Sequence, residues 1–239
     1  MKAKFDKLIV GLQNFMNQTG KTRAVLGLSG GVDSALTAKI AAEALGPGNV
    51  SGLIMPNEGL TNPQNVTDAK EWVRALGIQY FIVPINPFLE VYKSLAWEAS
   101  ALADMNLNAR ARAVILYHFA NTHDAIVLGT GNKTELRLGY FTKYGDGACD
   151  VEVIGNLFKT EVWEMSRAVG VPAAIVNKTP SAELKPGQTD EGEMGFTYAE
   201  ADAILGHLER KEVVTGPTAK KIQAMIKANR HKGESPAAL

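Results

Sequence analysis

The densest chemistry in the chain lies in one short stretch, Leu26-Gly27-Leu28-Ser29-Gly30-Gly31-Val32-Asp33-Ser34. The apolar run 23–28 precedes it and a run of helix formers, 33–45, follows. Small residues let the backbone turn sharply between the two and leave successive N–H groups free to face an anion. The helix beginning at Asp33 adds the positive end of its dipole. The chemistry these residue types suit is phosphate binding at the carboxyl end of a parallel strand. The string is neither G-x-x-x-x-G-K-[ST] nor G-x-G-x-x-G, so it belongs to neither common nucleotide loop. Two adjacent glycines alone would indicate only a tight turn; the six-residue string Ser29–Ser34 after an apolar strand argues for a ligand.

The elements that position this turn can be read from hydrophobic period. Phe5, Leu8, Ile9, Leu12, Phe15 and Met16 recur at helical spacing over 4–18, and Gly20 closes that helix. Strands are expected at 23–28, 50–56, 78–85 and 124–131, with helices at 33–45 and 63–76 between the first three. Further helices are expected at 87–103, 106–121, 158–169, 198–209 and 217–229. The β-α-β-α-β order implies parallel strands with right-handed crossovers. The fold class expected is therefore α/β, an open, mostly parallel sheet with helices on both faces, in a single domain spanning 1–239. Two polar segments, 139–150 and 180–197, are long for loops in a compact fold, and such loops are often functional.

Composition removes several function classes. Lys+Arg and Asp+Glu both number 25, which argues against a general nucleic-acid binder. One cysteine, Cys149, excludes a disulfide framework and multi-cysteine metal sites, and no base is placed to activate it. The four histidines have no metal-ligand spacing. The chain has no apolar run long enough to span a membrane and no signal-peptide pattern at Met1, so a cytoplasmic protein is expected.

Ser-Gly-Gly-Val-Asp-Ser resembles the pyrophosphate loop of the N-type ATP pyrophosphatases, whose fold is adenine-nucleotide alpha hydrolase-like. Members of that group split ATP into AMP and pyrophosphate to activate a carbonyl or carboxylate oxygen. Within the group the chain is similar to the NAD synthetase family. The strings that carry this are Asn108–Arg112, Leu128–Glu135, Gly139–Gly147, Pro180–Leu184, Gln188–Glu191 and His231-Lys232, in order over 5–232.

That resemblance implies an ATP-dependent ligase. The nicotinate carboxylate of deamido-NAD would be adenylated, and ammonia would then displace AMP to give NAD. It implies that Gly27, Leu28, Ser29, Gly30, Gly31, Val32, Asp33 and Ser34 hold ATP, with Thr130, Lys159 and Ser181 also touching it. Asp33 and Glu135 would bind Mg²⁺, which relieves the repulsion between Asp33 and a polyphosphate. Arg110, Lys143, Asp150, His231 and Lys232 match deamido-NAD-binding positions, and Asp33, Lys159 and Asp150 are the expected catalytic groups. Asp146 and Asp150 are both candidates to deprotonate ammonium. Ser181 stands where relatives often carry threonine, and the tail after Lys232 lacks a further basic residue common in relatives.

Rival readings are a tRNA thiolase, a GMP synthetase or a non-catalytic nucleotide-binding protein. The first usually needs paired cysteines, the second a longer dimerisation region, and the third needs neither Asp33 nor Glu135. The resemblance further implies a homodimer, with Arg110 near the subunit boundary. Since the first helix begins within a few residues of Met1 and the chain ends soon after His231, free ammonia rather than glutamine is the expected nitrogen donor. Both polar loops are expected to order when nucleotides bind.

Overall fold

A computed structural model describes the chain except residues 182, 184–186, 237 and 239. Its strands are β1 (Arg23–Gly27), β2 (Val50–Ile54), β3 (Gln79–Ile82), β4 (Ala125–Gly129) and β5 (Val151–Glu152). They form one parallel sheet in the order β3-β2-β1-β4-β5. Leu26 pairs with Gly52 on one side and Leu128 on the other, so β1 and β4 end at the same level. The helices are α1 (Lys2–Thr19), α2 (Val32–Leu45), α3 (Pro63–Leu76), α4 (Asn86–Glu90), α5 (Ala101–His123) and α6 (Lys133–Leu138). They continue with α7 (Lys159–Ala168), α8 (Ala173–Val176), α9 (Asp190–Met194), α10 (Tyr198–Glu209) and α11 (Pro217–Asn229).

Strand periodicity explains the two helical layers. Successive residues of a strand face opposite sides, so an apolar strand buries both. Ala24, Leu26, Ile126 and Leu128 face a core shared with α1, α2, α3 and α7, including Phe5, Leu36, Ile40, Trp72 and Val162. Val25, Leu53 and Val127 face the other way, onto Ile85, Ile115 and Ala120 under α4 and α5. A satellite core under the carboxyl end of the sheet joins α6, α9, α10 and α11 through Leu138, Met194, Tyr198, Leu205 and Ile222.

The helices expected at 87–103 and 106–121 are drawn differently. The first is only α4 and a 3-10 turn at Val91–Ser94; the second is one continuous helix from Ala101. Val91 and Trp97 are 69% and 67% exposed, so this stretch lacks the core that would stabilise a long helix. Ser100 starts α5 afresh, its hydroxyl accepting from Ala103 N at 3.2 Å. No Gly or Pro lies between 101 and 108 to interrupt it. The short α6, α8, α9 and β5 are additional to the expected elements. Of these, α6 had a local signal: Asn132 and Glu135 form a reciprocal capping box.

Candidate active site

A cavity of about 670 Å³ opens at the carboxyl ends of the strands. It sits where the strand order reverses between β1 and β4, the place where open parallel sheets leave a crevice. Its lining includes Gly27 to Asp33 from the first turn, Gly129 and Thr130 after β4, Arg112 from α5, Lys159 from α7 and Ser181. Ser34 is buried behind the turn, its hydroxyl donating to Gly31 O at 3.0 Å.

The turn is held from behind. Gly30 has φ +78°, and a Cβ there would lie 2.2 Å from Asn65 O, so only glycine fits between the turn and α3. Lys178 Nζ donates to Gly30 O at 2.9 Å and Asn65 Oδ1 at 2.5 Å, and pairs with Asp68 Oδ2 at 2.5 Å. The N–H groups of Val32, Asp33 and Ser34 fall in the first turn of α2, where no carbonyl one turn back can take them. They are donors in search of an anion.

Beside the turn, three charged groups from three elements converge. Lys159 Nζ lies 2.5 Å from Asp33 Oδ2 and 3.4 Å from Glu135 Oε1, with its side chain 3% exposed. Asn132 Nδ2 donates to the second Asp33 oxygen at 2.9 Å. Tyr198, fully buried, donates to Asp190 Oδ2 at 2.9 Å and approaches Glu135 Oε1 at 3.3 Å. Burial pushes the Glu135 carboxyl up to about 8, against the pull of Lys159 and with the push of Asp33. Burial alone would lower Lys159, but Asp33 and Glu135 outweigh it and hold its ammonium above the ordinary lysine range. The position of Lys159 is fixed by α10: Asp202 accepts from Thr160 N at 2.8 Å and Thr160 Oγ1 at 2.7 Å, capping α7.

Asp33 and Glu135 both turn carboxylate oxygens toward Lys159 Nζ, and carboxylate oxygens are the hard ligands Mg²⁺ takes. Among the described residues no three acidic, imidazole or thiol side chains gather to hold a metal. Mg²⁺ is commonly bound by one or two carboxylates together with substrate phosphates and water, a donor type that Asp33 and Glu135 match.

The residues expected to hold the second substrate are placed differently. Lys232 lines the cavity, but its Nζ donates to Gly139 O at 2.8 Å and Phe141 O at 2.9 Å. Arg110 is exposed and reaches Lys143 O at 3.4 Å through Nε and Nη2. Lys143 in turn donates to Glu234 O at 3.1 Å and to His231 O, so the segment after α11 clamps the 139–150 loop. The exposed His231 ring lies 3.2 Å from Ala228 O. Asp150 is on the surface, accepting from Val127 N at 2.8 Å and Tyr117 OH at 3.1 Å. Arg110, Lys143 and His231 are thus linked to one another, Asp150 is held separately by Val127 and Tyr117, and none of the four lines the cavity. The loop at 180–197 is only partly within the described residues.

Several groups at the site carry no motif in the sequence. Tyr198 and Asp202 lie on a helix that looks merely amphipathic in sequence. Arg112 sits two places from Arg110 and is distinguished only by the side of α5 it occupies. Cys149 packs with Glu152 behind Gly129, where a Cβ would meet Glu152 Oε2 at 2.2 Å and Cys149 Sγ at 2.5 Å. Burial and Glu152 push its thiol up, so it is no nucleophile.

A phosphate-seeking turn and a lysine–dicarboxylate cluster, set where a parallel sheet reverses its order, place the molecule in the N-type ATP pyrophosphatase class of α/β fold. A family model described as NAD synthase matches residues 4–236, and the chain belongs to that family. It is 45% identical over 236 residues to the NH(3)-dependent NAD(+) synthetase of Archaeoglobus fulgidus, covering 97% of this chain and 96% of that relative. Among solved structures, the NMN synthetase from Francisella tularensis has TM-score 0.92 and 34% identity, covering 100% of this chain and 98% of that one. The NH3-dependent NAD synthetase from Campylobacter jejuni, in complex with nitrate ion, has TM-score 0.86 and 28% identity, with 100% and 98% covered. No helix among the described residues is long and apolar enough to cross a membrane.

Proposed function

We propose that this chain is an ammonia-dependent NAD synthetase that catalyses the last step of NAD biosynthesis. The observation that carries the reading is the convergence of Asp33, Glu135 and Lys159 beside the open N–H groups of the first turn. ATP would lie with its β- and γ-phosphates on Gly27–Ser34, and Thr130 and Ser181 would touch it from the opposite walls. Asp33 and Glu135 would hold Mg²⁺, which when bound supplies positive charge to the phosphates.

A nicotinate carboxylate oxygen attacks the α-phosphorus; the bond to the bridging oxygen breaks and its electrons leave with pyrophosphate. Lys159 lies where that charge grows, already fully charged and needing no reorganisation. Ammonia then attacks the acyl carbon, the carbon–oxygen bond breaks and AMP departs. Of the two candidates for deprotonating ammonium, Asp146 is supported over Asp150 because it faces the cavity. Burial raises its carboxyl, which suits a proton acceptor.

Deamido-NAD would enter over Arg110, Lys143, Asp150, His231 and Lys232. Four of these lie on the surface, so a second copy of the chain is proposed to complete the acceptor site. The exposed large apolar side chains Phe88, Val91, Tyr92, Trp97, Leu102 and Val114, close together in sequence, support a homodimer. Residues 1–239 are read as one domain of a cytoplasmic enzyme.

The high similarity to an NMN synthetase supports one alternative acceptor, nicotinate mononucleotide. Purified protein given ATP, Mg²⁺ and either acceptor, with ammonium chloride or glutamine, tests both points. NAD formed from deamido-NAD and ammonium is the expected result. Preference for the mononucleotide would reassign the acceptor, and equal turnover with glutamine would overturn the nitrogen assignment.

A further inference from the structure

Four cationic side chains line the large cavity among the described residues: Arg112, Lys159, Lys178 and Lys232. Three of them are already occupied. Lys159 is taken by Asp33 and Glu135, Lys178 by Gly30 O, Asn65 and Asp68, and Lys232 by two loop carbonyls. Arg112 differs. Its Nε donates to Met55 O at 3.0 Å, just beyond the end of β2, and Nη1 and Nη2 have no hydrogen-bond partner among the described residues. The one contact fixes the plane of the guanidinium and leaves its outer N–H groups open. Arg112 is half-buried in the cavity wall, and a partly desolvated cation with open donors is stabilised when a ligand takes them.

From this geometry we infer that Arg112 is a further substrate-contacting residue, its open N–H groups binding the α-phosphate of ATP and of the acyl adenylate and AMP formed from it. The inference rests on the functional reading above and adds a residue to it. The first turn and Lys159 are committed to the leaving pyrophosphate, so the α-phosphate needs a cation of its own. Beside Arg112 the wall is apolar, formed by Ala109, Ala113, Leu116 and Met55, which suits the nucleoside next to that phosphate. The planar fork of arginine matches phosphate oxygens in pairs, which a lysine cannot do. When ammonia attacks the acyl carbon and AMP leaves, the phosphate oxygen gains the electron pair of the broken carbon–oxygen bond. A fixed guanidinium at that oxygen stabilises the charge as it forms. Burial lowers the Arg112 pKa, while Asp146 and Glu183 act to raise it, and an arginine so placed remains charged.

The test compares wild type with Arg112→Met and Arg112→Lys, each first checked by thermal melt. Inhibition by AMP should weaken at least about tenfold in Arg112→Met and less in Arg112→Lys, while inhibition by pyrophosphate stays unchanged. Unchanged AMP inhibition, or equal weakening for AMP and pyrophosphate, would overturn the assignment. If neither variant folds, modification of wild-type Arg112 by phenylglyoxal, read by mass spectrometry, decides it. Protection by AMP but not by adenosine supports the inference; an unreactive Arg112, or one equally reactive in all three conditions, refutes it. Wild type that makes no NAD while AMP still protects Arg112 would count against the functional reading and not against this site.

Discussion

The two halves of the proposed site are built in opposite ways. On the ATP side, Lys159, Asp33, Glu135, Asn132 and Tyr198 come from four helices and the loop before α6, yet all meet within hydrogen-bonding reach. On the acceptor side, Arg110, Lys143 and His231 are tied to backbone carbonyls at the surface or packed against them. The first half is complete within one chain. The second is a set of cationic side chains and clamped loops at the surface. A polyphosphate with its metal has the same geometry in every turnover, so fixed donors serve it best. A dinucleotide acceptor spans a longer surface, and the second subunit proposed above would extend the acceptor half.

The largest expected effect breaks that asymmetry at its centre. Lys159→Met removes the buried cation that faces Asp33 Oδ2 and Glu135 Oε1, and breaking such a pair typically costs about 3–5 kcal/mol. ATP–pyrophosphate exchange should fall by at least about a thousandfold. Lys143→Met should instead raise KM for deamido-NAD by about tenfold and leave exchange at saturating acceptor nearly unchanged. Equal losses in both variants would mean that the halves are not separable.

A smaller effect sharpens the ATP side. Glu135→Gln should reduce exchange by about a hundredfold at limiting Mg²⁺, with the fold intact. Without ligands the same change should be stabilising at alkaline pH. The Glu135 carboxyl is raised from 4.5 to about 8 in the folded chain. The folded state therefore holds a proton that the unfolded state has lost between those values, and stability falls as pH rises through that window. Below it both states are protonated and wild type and variant should melt alike. Above pH 8 the variant should melt a few degrees higher. Melting curves at pH 4 and pH 9 would show whether the sign is right.

The smallest effect concerns assembly. Sedimentation with activity assays on dilution should show a dimer whose dissociation raises KM for deamido-NAD before it affects exchange. A monomer with full activity at micromolar concentration would remove the second subunit from the acceptor site.

The chain's own sequence determined the turn and its chemistry. Gly30 at positive φ, Ser29 to Ser34 and the apolar strand before them are local features, and local sterics decide them. The unbroken apolar runs of β1 and β4 likewise require a covering layer on each face of the sheet. The capping box at Asn132 and Glu135 was present as a spacing, though the helix it starts is only six residues long. Tertiary structure decided the rest. The stretch 87–103 has helix formers enough, but the fold provides it no core, so it breaks after one turn. Arg110 and Arg112 are indistinguishable as residue types. A two-residue step turns about 200° round a helix, placing one outside and the other in the cavity wall. Lys159 looked like any surface lysine until Asp202, forty-three positions later, capped its helix and aimed it at Asp33. Pairings between residues so far apart depend on which elements pack together, and no local spacing encodes that.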